Sequence, residues 1–202
     1  SKENWQTVIP HREEIYLLAT EAFIDHLIID EMEDGIPKLR VYKFSTGEEH
    51  YVSFPESVYG LGGASNPEFN TNIFRFSYTS FVTPNSIFDY NLDTKGRELK
   101  KETPVLGGYD HTQYISERLY ATASDGTAIP ISLVYKKGIK KNGANPFLLT
   151  GYGSYGFHYT VNFSSIRLSL LNRGVVYAIA HIRGGSEKGR KWYEEGKLLH
   201  KK

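Results

Sequence analysis

Residues 147–160 read FLLTGYGSYGFHYT, an apolar run closed by Gly151, Gly153 and Gly156 in the spacing G-x-G-x-x-G. Two chemistries use such a loop. In a dinucleotide site the glycines let a helix open against the strand and aim its N-terminus at a pyrophosphate. In an acyl-transfer hydrolase a strand-end loop aims a hydrogen-bond donor at a developing oxyanion. The nucleotide reading fails on its surroundings. Gly156 is followed by Phe157, His158, Tyr159, Thr160 and Val161, bulky or β-branched residues that open a helix poorly, and the helix is predicted to begin only near Ser164. The fingerprint also wants an acid about 20 residues on. There the chain reads VVYAIAHI and then Arg183, which suits at most a 2′-phosphate.

Other candidate sites fall more quickly. Gly184 and Gly189 have the glycine spacing of a phosphate loop, but Arg190 and Lys191 stand where Lys and then Ser or Thr are needed, so the magnesium-binding hydroxyl is missing. The seven histidines, at 11, 26, 50, 111, 158, 181 and 200, form no i,i+4 pair, and no metal site is expected. No G-x-S-x-G nucleophile elbow occurs. Ser154 and Ser186 each lack one of the flanking glycines.

The elements around the glycine loop favour the hydrolase reading. ERLYATASDGTAIPISLVY is a predicted hairpin over 115–124 and 128–135, turning at Asp125-Gly126. NPFLLTGYG is a short apolar strand opened by Pro146. SSIRLSLLNRG is a predicted helix with Ser164 as N-cap, Gly174 as stop, and Ile166, Leu170 and Leu171 as its apolar stripe. VVYAIAHI is a nearly continuous apolar run, as in a parallel strand covered on both faces. Strand, helix, strand implies a βαβ crossover and the start of an α/β domain. The closing SEKGRKWYEEGKLLHKK reads as a polar helix or a loop leading into one. Counted along this domain, PFLLTG is the third strand, and Tyr152 falls where an α/β-hydrolase takes one oxyanion donor. A phenol, with a reference pKa near 10, stays protonated at neutral pH and donates. Against this, most of the 15 tyrosines must be packing or surface residues.

Up to about residue 112 the chain is short strands divided by turns. NIFRFSYTS alternates Phe74, Phe76 and Tyr78 against Arg75, Ser77 and Thr79, and SIFDYNL sets Phe88, Tyr90 and Leu92 on one face. DHLIIDEM and KLRVYKF are the corresponding pair upstream, at an offset of 47–49 residues. Each copy gives an apolar strand, a Pro-bearing turn, a second strand, a tight polar turn and a polar third strand. That period suggests propeller blades, although a small antiparallel sandwich reads equally well. The charges of RELKKET suit an exposed edge.

Composition bounds the rest. Forty per cent apolar and 23% charged residues are ordinary for a globular chain. A net charge of +1 gives no argument for nucleic acid or an anionic membrane. The absence of cysteine excludes disulfides and thiolate chemistry and fits a reducing compartment. No apolar run approaches the roughly 20 residues of a membrane span, and SKENWQTVIPHREE lacks the apolar core of a signal peptide. A soluble, cytoplasmic protein is expected.

The segment from Asn145 to Lys202 closely resembles the prolyl oligopeptidase family of serine peptidases, most nearly its oligopeptidase B branch, with GYGSYG and AHIRGGSEKGRKWYEEGKLL as the most specific stretches. YKFSTGEEHY, VTPNSIFDYN and TPVLGGYD extend the resemblance towards the N-terminus. The resemblance implies a fold of β-propeller blades (antiparallel β) followed by the N-terminal part of an α/β-hydrolase domain. Residues 1–112 would be the last blades of a seven-bladed propeller and 113–202 the beginning of the peptidase domain. By position, Tyr152 matches the tyrosine completing the family's oxyanion hole, and Tyr155 an aromatic lining the substrate pocket. Thr150 departs from the tyrosine usual there. His181 follows the branch pattern and is not the family's catalytic histidine. Arg183, Gly184 and Gly185 match a loop taken as structural.

The resemblance further implies hydrolysis of short peptides, after Lys or Arg, through an acyl-enzyme and without a cofactor. Partners would be the peptide substrates and the remainder of the same polypeptide. The family's Ser, Asp and His are expected past Lys202, so the chain reads as an inactive middle fragment. The strand over 174–181 would then lack neighbours and expose an unpaired apolar edge. The competing class is a non-catalytic propeller module that binds a partner, or a family member without its nucleophile.

Overall fold

The computed structural model describes residues 1–201, arranged as three four-stranded sheets in chain order. The first is an antiparallel meander of β1 (Ile15–Ala22), β2 (His26–Glu33), β3 (Ile36–Lys43) and β4 (Glu49–Tyr51). The second repeats it with β5 (Tyr59–Gly63), β6 (Ile73–Ser80), β7 (Ser86–Asn91) and β8 (Arg97–Glu102). Each repeat therefore holds four strands, one more than the sequence pattern suggests. The extra strands, β1 and β5, come first in each sheet. β5 reads YGLGG, poor in β-formers, and its glycines serve close approach instead. A Cβ on Gly60 would run into the Val161 carbonyl, and one on Gly62 would meet Ser77 Oγ at 2.6 Å.

Alternation decides which faces meet. Phe74, Phe76 and Tyr78 of β6 are buried as a set, with Phe23, Ile28, Leu39 and Val41 of the first sheet in the same cluster. Phe54 stacks on Tyr78 with ring centroids 5.1 Å apart and meets Phe76 edge-on at 5.8 Å. Every residue of β8 is exposed, as its charges predict.

The two-residue connection between β2 and β3 is Asp34-Gly35, both with positive φ (50° and 74°), opposite the Glu33–Ile36 pair. Two left-handed residues give the turn whose twist matches the flanking strands, which is why Asp-Gly occurs here.

The third sheet runs β11-β12-β10-β9, from β9 (Tyr114–Thr122), β10 (Ala128–Lys136), β11 (Phe147–Gly151) and β12 (Val176–Ala180). β9 and β10 form the expected hairpin. β11 pairs parallel with β12 across α1 (Ser165–Asn172), whose N-cap Ser164 accepts from Arg167 N–H and whose stop, Gly174, has φ 83°. Two expectations fail here. Residues five apart on a helix diverge by about 140°, so Ile166 and Leu171 do not share a stripe. Leu171 is buried while Ile166 is 83% exposed, and Leu168 packs in its place. Nor is β12 an edge. It lies between β10 and β11, with Ala178, Ile179 and Ala180 buried, and the exposed apolar edge is Phe147, Leu148 and Leu149 of β11. The closing segment gives only a short helix, α2 (Gly189–Glu194), and a 3-10 turn over Leu198–His200.

The second and third sheets share a core. Val58, Phe81 and Val82 pack with Val134, Val161, Leu171 and Ile179, and Arg167 lies 4.2 Å from the Tyr177 ring centroid.

Candidate active-site loop and its buried support

Tyr152 directly follows β11 and is 42% exposed, its ring edge-on to Phe157 with centroids 5.6 Å apart. The loop then turns through two consecutive left-handed residues, Tyr155 (φ 58°) and Gly156 (φ 71°). For tyrosine that backbone costs about 1–2 kcal/mol, and the side chain it presents is 90% exposed. The structure thus sets Tyr152 and Tyr155 on one open, aromatic loop beside Phe157.

The glycines of this loop answer to packing. Its floor is the segment 182–187 that follows β12. Gly156 N–H donates to the Gly184 carbonyl at 2.9 Å. A Cβ on Gly153 would run into the Arg183 carbonyl and Ile182, and one on Gly184 into the Gly153 carbonyl. Lys201 Nζ donates to the carbonyls of Gly153 and Arg183. No helix opens within the motif, and α1 begins only at Ser165. A phosphate would find no helix N-terminus there.

The Arg183 side chain bonds outside the loop. Its guanidinium donates to Asp125 at 2.6 Å, binding the β9–β10 turn and holding that carboxyl well below the ordinary range. Ser186 is buried, with Oγ 3.4 Å from His158 Nδ1. Ser154 sits on the loop outside any G-x-S-x-G elbow. Among the described residues no group of His, Asp and Glu could hold a metal, and no helix is long and apolar enough to cross a membrane.

Sequence reasoning missed a constellation beneath this loop. Ser132 Oγ lies 2.8 Å from His181 Nε2, and His181 Nδ1 lies 3.9 Å from Glu187 Oε1. The order Ser–His–Glu mimics a catalytic triad, but its chemistry is closed. All three side chains have essentially no exposure, so no carbonyl carbon can reach Ser132. Arg118 donates to Ser132 Oγ at 2.9 Å. The serine hydroxyl is then left to donate to Nε2, which puts the neutral ring's proton on Nδ1, facing Glu187. Burial lowers the His181 pKa, with Glu187 opposing and Arg118 adding to that effect, so the ring is neutral at pH 7.

The tip of the first sheet closes the cluster. Gly35 N–H donates to the Glu187 carbonyl at 2.7 Å, Arg118 donates to the Asp34 carbonyl, and Lys188 Nζ lies 3.7 Å from Asp34 Oδ1. A Cβ on Gly35 would sit 3.2 Å from His181 Cγ, tighter than ordinary contact. No local signal marks this cluster, because its members come from three separate stretches of chain.

Residues 1–103 match the prolyl oligopeptidase N-terminal β-propeller domain, and residues 161–202 match the prolyl oligopeptidase family. The chain belongs to the prolyl oligopeptidase family. Its first two sheets are blades of the family's propeller, and β12 with the 182–187 segment lies in its peptidase domain. Relatives include dipeptidyl aminopeptidase BI of Pseudoxanthomonas mexicana, 43% identical over 100% of this chain and 28% of its own length. Protease 2 of Moraxella lacunata is 38% identical over 96% of this chain and 28% of its own. Oligopeptidase B from Trypanosoma brucei, solved with covalently bound antipain, superposes with a TM-score of 0.87 at 33% identity, covering 96% of this chain and 28% of that one. The chain thus spans about a quarter of the length of these members of the prolyl oligopeptidase family.

Proposed function

We propose that the protein to which this chain belongs is a serine peptidase that hydrolyses short peptides through an acyl-enzyme, with the Tyr152 hydroxyl donating to the tetrahedral oxyanion. One observation carries the reading: Tyr152 stands at the end of β11 on a partly exposed loop whose glycines lock it against the 182–187 segment. A fixed donor is what oxyanion stabilisation needs, because a group already in place has no reorganisation cost during the reaction. Tyr155, on the same loop, lines the pocket for the substrate. Residues 1–112 are the last two blades of the propeller and 113–202 the first part of the catalytic domain. The nucleophile, acid and base lie outside this chain, and the protein works in the cytoplasm.

For the residue before the cut we favour Lys or Arg, on the likeness to protease 2 and oligopeptidase B. Other relatives are named dipeptidyl aminopeptidase and prolyl endopeptidase, so the panel of test peptides must vary both that residue and the N-terminal block. The deciding experiment is Tyr152→Phe in the full-length protein. It removes one donor and keeps the ring, so kcat should fall about 10²–10³-fold with KM little changed. An unchanged kcat removes Tyr152 from the mechanism.

A further inference from the structure

We propose that Glu187 and His181 are positioning residues for Tyr152, acting from beneath through the loop that carries it; this rests on the oxyanion reading above. Glu187 is a fully buried carboxylate. Oε1 accepts from Tyr159 N–H at 3.1 Å and lies towards His181 Nδ1, while its own backbone carbonyl accepts from Gly35 N–H. One residue therefore joins the far end of the Tyr152 loop, the third sheet and the first blade. Tyr159 is edge-on to Phe157, and Phe157 is edge-on to Tyr152, so fixing the Tyr159 backbone fixes an aromatic row that ends at the donor.

The packing beneath points the same way. Gly185 is a glycine because a Cβ there would strike the Glu187 carboxylate and the Phe157 carbonyl. The carboxylate thus lies directly under the turn on which Phe157 rests. His181 cannot swing aside, since Ser132 holds Nε2 and the Gly35 backbone closes over the ring. Burying a charged carboxylate is costly unless it is hydrogen-bonded. An apolar residue of similar volume would pack the site more simply. What the carboxylate adds is direction: one oxygen, Oε1, accepts from a backbone N–H of the loop and faces the imidazole of His181, whose other nitrogen Ser132 holds.

The test is a double-mutant cycle in the full-length protein, reading kcat and KM separately on one fluorogenic peptide. Glu187→Ala and Glu187→Gln are each made alone and combined with Tyr152→Phe. Glu187→Ala should lower kcat about tenfold with KM within twofold, since the donor is displaced without loss of ground-state contacts. Glu187→Gln should recover most of that loss, because its amide oxygen still accepts from Tyr159. In the Tyr152→Phe background the effect of Glu187→Ala should vanish, as there is no longer a donor to misplace. The same tenfold loss in both backgrounds, or a rise in KM alone, would overturn the proposal while leaving the oxyanion reading intact. If Tyr152→Phe by itself leaves kcat unchanged, the oxyanion reading fails first and the positioning role falls with it. Should Glu187→Ala not fold, Ser132→Ala enters the same cycle. It frees His181 Nε2 without adding volume, and a kcat loss absent from the Tyr152→Phe background is again required.

Discussion

The first sheet meets its two neighbours through opposite materials. Against the second sheet it presents Phe23, Ile28, Leu39 and Val41 to Phe74, Phe76 and Tyr78, an apolar and largely aromatic contact. Against the third it presents Asp34 and Gly35, hydrogen-bonded to Arg118 and to the Glu187 backbone and packed closely against His181. Apolar burial is strong but non-directional, and it tolerates small slips of one sheet over another. A hydrogen-bonded cluster adds less net energy per contact, yet it accepts one register only. Blade against blade needs adhesion. Blade against the Tyr152 loop and its support needs alignment.

Substitutions can break or sharpen that contrast. The largest stability effect should come from the apolar contact. Phe76→Ala removes a buried ring at its centre and should cost about 3–5 kcal/mol, read by chemical denaturation, while kcat per folded molecule stays unchanged. A matching fall in kcat would erase the distinction between the two contacts.

Asp30 shows what a carboxyl costs beside the apolar contact with no network to hold it. It borders a cavity of about 200 Å³ lined by Ile28, Leu39, Leu61 and Phe74. Burial, and then the charge of Glu31, push its pKa up to about 6. The folded state therefore binds a proton more tightly than the unfolded chain, and stability falls as pH rises from the carboxyl's ordinary range through 6. Asp30→Asn should stabilise the protein by roughly 3 kcal/mol at pH 7 and give little gain at pH 4. Equal melting temperatures of the two forms at pH 7 would refute this.

Gly35→Ala tests the polar contact. A left-handed alanine costs about 1–2 kcal/mol, and the new methyl presses on His181 and Arg118. A smaller stability loss than that of Phe76→Ala, combined with a severalfold drop in kcat, is the expected pairing. Loss of stability with intact kcat would mean that the tip serves only as glue. The smallest effect should be that of Ser164→Ala. Its capping bond is 3.4 Å long, so removal should cost about 0.5 kcal/mol, the low end for an N-cap. A loss above 2 kcal/mol by urea titration would show that the cap does more than end a helix.

Local rules made much of this legible. The alternation over Phe74–Tyr78, the Asp125-Gly126 turn and the Ser164 and Gly174 caps each depend on residues within a few positions of one another. β5 hides from local rules because its glycines answer to Val161, far along the chain, and to Ser77 on the paired strand β6. On α1 the apolar type of Ile166 suggests a buried stripe, yet the residue is exposed while Leu171 is buried. For the candidate site, Tyr152 and Tyr155 were visible as a loop after a strand, whereas Glu187 looked like one charge among several in a polar tail. Its burial exists only once Asp34-Gly35 and β12 are brought together, and no pattern in the linear sequence announces that.

The docked tip also sets a clock. A ribosome adding about 5–20 residues per second delivers Asp34-Gly35 well before His181 and Glu187, by roughly 7–30 s. For that interval the Asp34 carbonyl and Gly35 N–H face water with their final partners still unmade. The β2–β3 hairpin that carries them has to keep its shape unaided, and its Asp-Gly turn is the kind that closes on local geometry alone. A polypeptide synthesised blade first thus presents its hairpin tip as a template, and the support of the Tyr152 loop assembles against it afterwards.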